Sequence, residues 1–377
     1  MAIQLFKPTF HIDECLEQIR ECLEKGWTGL GFKTIELENA WSEYTGHENS
    51  HFLCSATAGL HQAVKILKMK YGWQDGDEII STPITFVSSN HAIMYENMVA
   101  RFADVDEFLC IDPKSVQKRI NEKTRAVLFV GYGGSFGQFD KIIEICKKHK
   151  LALILDAAHM AGTRVNGVFP GTMEGVDVTV YSFQAVKNLP TADSGMVCFA
   201  DPKMDKLCRE MTWLGINKDT YERSNEKGNY KWKYDVEYLG NKDHGNSIIA
   251  SIALVQLKYL DNDNAYRRQI CRWYDEKFAD NCNVEPVCVP YPDNCSRHLY
   301  VIRVEDRDGL MQTLNNADIY PGVHYSDNTE YPMYAYDHGR CPHAHEVTKH
   351  IISLPLHMQL SYSDVQKVAD IINKFTR

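Results

Sequence analysis

The apolar positions of this chain follow two rhythms. Residues 126–130 (AVLFV), 151–155 (LALIL) and 176–181 (VDVTVY) are short, mostly apolar runs bounded by glycine or polar residues, and runs of that length read as buried strands. Leu60, Val64 and Leu67, like Leu37, Trp41 and Tyr44, recur at the three- and four-residue spacing of one helical face. Ile12, Leu16, Ile19 and Leu23 do the same ahead of Gly26, which predicts a first helix ending near Lys25. Residues 51–54 predict a strand feeding the Leu60 helix, and residues 141–150 a further helix. Strands alternating with helices from position 50 to 199 predict an α/β fold with a mostly parallel central sheet and helices on both faces.

Beyond about position 246 the rhythm changes. Helices over 247–259 and 266–278, a strand over 298–304 and closing helices over 309–316 and 364–375 predict a smaller α+β lobe, completed by N-terminal residues. The expected division is therefore 1–245 for the large domain and 246–377 for the small one. Residues 214–246 show no clear period but hold Tyr221, Tyr230, Trp232, Tyr234 and Tyr238, a composition that predicts a functional loop rather than a disordered one.

With 377 residues, 44% of them hydrophobic, the chain has enough apolar side chains for a sizeable core. A net charge of -9 argues against a nucleic-acid groove or an anionic membrane surface as partner. No stretch reaches the roughly 18 apolar residues of a membrane span, and the N-terminus MAIQLFKPTF lacks a basic and apolar leader pattern. The 12 cysteines include no CxxC pair and sit in apolar periodic segments, which predicts reduced thiols and a cytoplasmic location.

The candidate chemistry lies between the last two strands of the α/β region. The apolar run 151–155 delivers Asp156 at its carboxyl end, and the run 176–181 delivers Ser182 just ahead of Lys187. Ligands bind where strand ends gather in such sheets. A lysine amine for a Schiff base, a carboxylate to keep a pyridine nitrogen protonated and a hydroxyl near a phosphate are the groups that pyridoxal phosphate needs. The order DAAH followed by YSFQAVKNLPTADSG resembles the DegT/DnrJ/EryC1/StrS aminotransferases, which act on nucleotide-linked keto-sugars and have the aspartate aminotransferase fold, fold type I. That resemblance covers nearly the whole chain from Gly26 onward.

The resemblance extends the site. Ser55, Ala56, Thr57 and Ala58 precede a helix, where backbone amides and the helix dipole favour an anion. They align with the family's phosphate cradle, Ala56 standing where glycine is usual. Phe86 falls on the aromatic that stacks on the pyridine ring, with core packing as the competing reading, and His159 on the residue near the phenolic oxygen. Thr28, in a Gly-Trp-Thr-x-Gly phrase, is placed near the partner subunit's active site. Lys242 stands where relatives reach the partner's cofactor phosphate, next to His244 where many carry arginine. His324 and Tyr325, in GVHYSDNTEY, are placed beside the sugar. The glycine cluster GYGGSFGQFD is neither a Walker A loop nor a dinucleotide fingerprint, and is read as a turn passing close to the cofactor.

The implied enzyme is a homodimeric aminotransferase that makes an amino sugar from a nucleotide-linked 3-keto or 4-keto 6-deoxyhexose, with glutamate as donor. Alternatives are a cyclitol or other non-nucleotide keto substrate, a sugar dehydratase, or a silent regulator of the same fold. Relatives that dehydrate carry histidine in place of Lys187, and a silent regulator would have lost Lys187 or Asp156. His338, Cys341, His343 and His345 are suitable metal ligands by type, but their spacing fits no zinc pattern, and no metal is expected.

Overall fold

The computed structural model describes residues 2–217 and 234–376. Seven strands form the large sheet: β1 Ser50–Leu53, β2 Glu78–Ser81, β3 Val99–Phe102, β4 Thr124–Val130, β5 Ala152–Asp156, β6 Val178–Ser182 and β7 Gly195–Phe199, in the order β1-β7-β6-β5-β4-β2-β3. From β3 to β6 every pair is parallel, and β7 runs antiparallel to both β6 and β1. Strands β5, β6 and β7 are buried along their whole length, which is why their sequences are apolar runs rather than alternating ones. Helix Ala56–Tyr71 covers this sheet through Leu60, Ala63, Val64 and Leu67, all buried.

A second sheet, of β8 Glu285–Pro286, β9 Tyr300–Arg303 and β10 Ile351–Leu354, is antiparallel in the order β10-β9-β8. It packs in a separate apolar cluster with Tyr274, Phe278, Leu310 and Val365. Ile3 belongs to that cluster and bridges Ile319, so the N-terminus packs with this second sheet.

Two expectations change. The helices expected over 247–259 and 266–278 are one continuous helix, Ser247–Phe278, of 32 residues. The intervening Asp-Asn-Asp-Asn run has poor helix propensity, but tertiary contacts hold it in the helix. Asn264 donates to the Ala161 carbonyl at 2.9 Å and accepts from Asn188 at 2.7 Å, while Asp261 accepts from Arg164 at 3.0 Å and Tyr44 at 2.6 Å. The first helix forms as spaced, Ile12–Lys25, yet Cys15 and Cys22 are its buried residues, and Ile12, Leu16 and Leu23 are 65%, 55% and 61% exposed.

Trp213 bridges Lys242, and Ile216 bridges Val236, at the base of the polar segment. Tyr221, Tyr230 and Trp232 lie outside the described residues. Among the described residues no helix is long and apolar enough to cross a membrane, and no cysteine is paired.

Candidate active site

Parallel register brings the chemistry together. Val130 at the end of β4 pairs with Asp156 at the end of β5, and Asp156 pairs with Val180 in β6, so these strands end at one rim. Strand β1, antiparallel to β7 as β6 is, points the same way and delivers Ser55 to that rim. Ser55 caps helix Ala56–Tyr71, its side-chain oxygen accepting the Ala58 amide at 3.1 Å. The amides of Ala56 and Thr57 have no carbonyl one helical turn before them and remain available to an anion. Gly195 permits this approach: a Cβ there would lie 2.7 Å from the Ala56 nitrogen and 2.8 Å from the Tyr181 oxygen.

These ends enclose a cavity of about 450 Å³. Ala56, Thr57, Phe86, Asp156, His159, Ser182 and Lys187 all line it, with His324 and Tyr325 arriving from far along the chain. Thr28 and Lys242 do not reach it. Thr28 is exposed, and the Lys242 amine lies 5.2 Å from the ring centre of Trp213. Phe86 is 60% exposed, which removes core packing as its role. The glycine turn sits one layer further back than expected: the Gly133 amide donates to His159 Nδ1 at 3.2 Å, and Tyr132 donates to the His324 carbonyl.

Asp156 is 3% exposed and accepts the Ser89 hydroxyl at 2.7 Å and the Ala158 amide at 3.1 Å. Burial pushes its carboxyl up, and Ser89, the Ala158 amide and the Lys187 charge only partly offset that. Among the described residues it forms no ion pair. Lys187 is partly buried in the cavity wall, and loss of hydration lowers its amine to about 8, against the pull of Asp156. The next residue, Asn188, donates to Asn264 at 2.7 Å and to the Ser296 carbonyl at 2.8 Å, which anchors the lysine turn to the long helix.

Because the Gly133 amide can only donate, His159 Nδ1 is unprotonated and Nε2 carries the hydrogen toward the Tyr325 hydroxyl, 3.1 Å away. Burial first, then the Lys187 and His324 charges, hold this ring neutral, well below the usual histidine range. His324 is likewise lowered to about 4 by burial and by Lys187.

Sequence reasoning missed Ser89 and His298. Ser89 is three residues beyond Phe86 on helix Val87–Met94, and only the packing of that helix turns its hydroxyl onto Asp156. His298 lies with its ring centre 4.3 Å from that of His159, over a hundred positions away in sequence.

The donor set suits pyridoxal phosphate. A buried carboxylate with no ion pair among the described residues would be satisfied by a protonated ring nitrogen, beside a neutral-prone lysine and a capped helix end that can accept a phosphate. The comparisons agree with this chemistry. The model of the DegT/DnrJ/EryC1/StrS aminotransferase family matches residues 11–373. Spore coat polysaccharide biosynthesis protein SpsC of Bacillus subtilis (strain 168) is 29% identical over 97% of this chain and 95% of its own. The aminotransferase TlmJ of Streptoalloteichus hindustanus is 29% identical with a TM-score of 0.89, covering 99% of this chain and 98% of its own. The PLP form of the putative sugar aminotransferase Spr1654 of Streptococcus pneumoniae is 26% identical with a TM-score of 0.90, covering 100% and 99%. The chain therefore belongs to the DegT/DnrJ/EryC1/StrS aminotransferase family, as a pyridoxal-phosphate-dependent sugar aminotransferase of fold type I.

Proposed function

We propose that the enzyme converts a nucleotide-linked 3-keto or 4-keto 6-deoxyhexose to its amino sugar, taking the amino group from glutamate. The observation that carries this reading is the pairing, in one cavity, of a buried carboxylate raised by burial and a lysine whose amine is lowered to about 8. Bound pyridoxal phosphate supplies an aldehyde for the amine and a protonated ring that withdraws electrons from the substrate carbon.

Lys187 would hold the cofactor through its side-chain amine and serve as base and acid for the proton on the substrate carbon. Asp156 keeps the ring nitrogen protonated, and Ser89 and the Ala158 amide hold that carboxylate in place. The Ala56 and Thr57 amides and the Ser182 hydroxyl would hold the phosphate, joined by Lys242 of the partner subunit. Phe86 would cover the ring, and His159 would hold the phenolic oxygen. Thr28 of the partner, His324 and Tyr325 border the sugar.

A homodimer belongs to the same proposal. Its support is that Thr28 and Lys242 stand away from their own cavity, and that Ile12, Leu16 and Leu23 form an exposed apolar stripe. The division at 245/246, a cytoplasmic location and a role in surface polysaccharide such as O-antigen are parts of this reading too. SpsC, a spore coat polysaccharide protein, supports the last.

Borohydride reduction of the holoenzyme followed by peptide mapping is expected to place the phosphopyridoxyl group on Lys187; a tag elsewhere would overturn the assignment. Turnover with glutamate should appear on nucleotide-linked keto-sugars. Activity confined to unlinked cyclitols would refute the sugar-nucleotide reading.

A further inference from the structure

We propose that Asp327, Glu330 and His345 bind a divalent transition-metal ion of the zinc class, separate from the catalytic cavity. The sequence-adjacent set His338, Cys341, His343 and His345, which fits no zinc spacing, does not converge. His343 Nδ1 lies 2.9 Å from the Val105 carbonyl oxygen, and Cys341 is 1% exposed in the large core. Instead the fold brings a different set together from two elements, the turn Asn328–Glu330 and the short helix Pro342–Val347.

Asp327 caps that turn with one oxygen only. Its Oδ1 accepts the Thr329 amide at 2.8 Å and the Thr329 hydroxyl at 2.7 Å. Its Oδ2 is buried, in a residue 4% exposed, and has no hydrogen-bond partner. That orphaned oxygen lies 3.4 Å from His345 Nδ1, which is itself 3.2 Å from Glu330 Oε1. One donor atom from each of the three residues lies within 4.8 Å of the others. His338 Nδ1 is 3.2 Å from the same Glu330 oxygen and stands ready as a fourth ligand.

Two arguments favour a metal over a plain ion pair. Nitrogen and oxygen ligands at about 2.0–2.1 Å from a tetrahedral ion are about 3.3 Å apart, which matches the separations of His345 from Asp327 and from Glu330. A protonated His345 has a single Nδ1 hydrogen and can satisfy one carboxylate, leaving a desolvated anion facing a second one. Imidazole with carboxylate selects a first-row divalent ion over calcium or magnesium.

The ion's role is structural. Asn328 donates to the Pro83 and Thr85 carbonyls, each at 2.9 Å, just ahead of Phe86, and Tyr325 precedes Asp327 by two residues. A bound ion would fasten this turn to helix Pro342–Val347 and so steady one wall of the cavity.

The test is calorimetric titration of chelator-treated holoenzyme with zinc chloride, followed by X-ray absorption on the loaded protein. One ion per chain should bind with a Kd below about 1 µM, in a shell of nitrogen and oxygen only, raising the melting temperature and leaving the cofactor's visible band unchanged. His345→Ala and Asp327→Asn should each weaken binding at least about 100-fold, whereas His343→Ala should not. Glu330→Gln, at a half-exposed side chain, provides the same loss if the other variants fail to fold. No binding tighter than about 100 µM, a sulfur ligand, or affinity unchanged in Glu330→Gln would overturn the site. Since the cofactor band is read separately, failure here is distinct from failure of the catalytic assignment.

Discussion

At the scale of single residues, reactivity rests on two groups held away from their solution behaviour. The Lys187 amine must be neutral to add to an aldehyde, and burial lowers it to about 8 from an ordinary 10.5. Lowered means neutral above about 8. Capture of pyridoxal phosphate by the cofactor-free protein should therefore accelerate about tenfold per pH unit below 8 and level off above it, as read by stopped-flow absorbance. Asp156 has the opposite displacement, upward through burial. Asp156→Asn keeps the shape but loses the charge that stabilises a ring proton, so kcat should fall about 10³-fold while borohydride still labels Lys187. Unchanged kcat would refute the role. Asp156 was legible at the end of its apolar run and Lys187 in the turn after the next one; Ser89, which holds Asp156, was not, because a serine inside a helix carries no mark of what it faces.

At the scale of elements, the cofactor site depends on how closely helix Ala56–Tyr71 approaches the sheet. Gly195 opens β7 at the point where its backbone meets the Ala56 nitrogen and the Tyr181 oxygen, both unable to turn aside as a side chain would. Gly195→Ala should cost about 1–3 kcal/mol of stability in urea melts and weaken pyridoxal phosphate binding about tenfold or more, measured by fluorescence titration. The long helix offers a second test. Asn264 joins it to the Ala161 carbonyl and to Asn188, beside Lys187. Asn264→Ala leaves those buried groups unpaired, and should cost about 2 kcal/mol or more and slow labelling of Lys187. The sequence suggested a break in this helix because propensity is a local quantity, while the polar residues that spoil it are repaid by partners over seventy positions away.

At the scale of the whole molecule, burying neutral histidines sets the acid limit. His47 is 8% exposed, beside the Tyr181 hydroxyl, and burial lowers it to about 4. Unfolded, it would protonate near 6.5, so the unfolded chain binds more protons between 6.5 and 4, and the stability present above 6.5 is lost as pH falls through that window. The contribution is about 3 kcal/mol. His47→Gln should remove about that much of the pH dependence, seen as a stability gap to wild type that narrows from pH 6.5 to 4; a gap independent of pH would refute the assignment. The alternation of apolar runs and helical faces determined, without coordinates, a mostly parallel sheet and the rim where Asp156, Ser182 and Lys187 meet, because strand burial and strand polarity are local consequences of pattern. Tertiary structure alone decided the single long helix, the outward stripe of the first helix, the Gly133–His159–Tyr325 chain and the convergence of Asp327, Glu330 and His345. Each of these depends on which distant groups pack against or hydrogen-bond to the residues concerned, and no spacing along the chain encodes that.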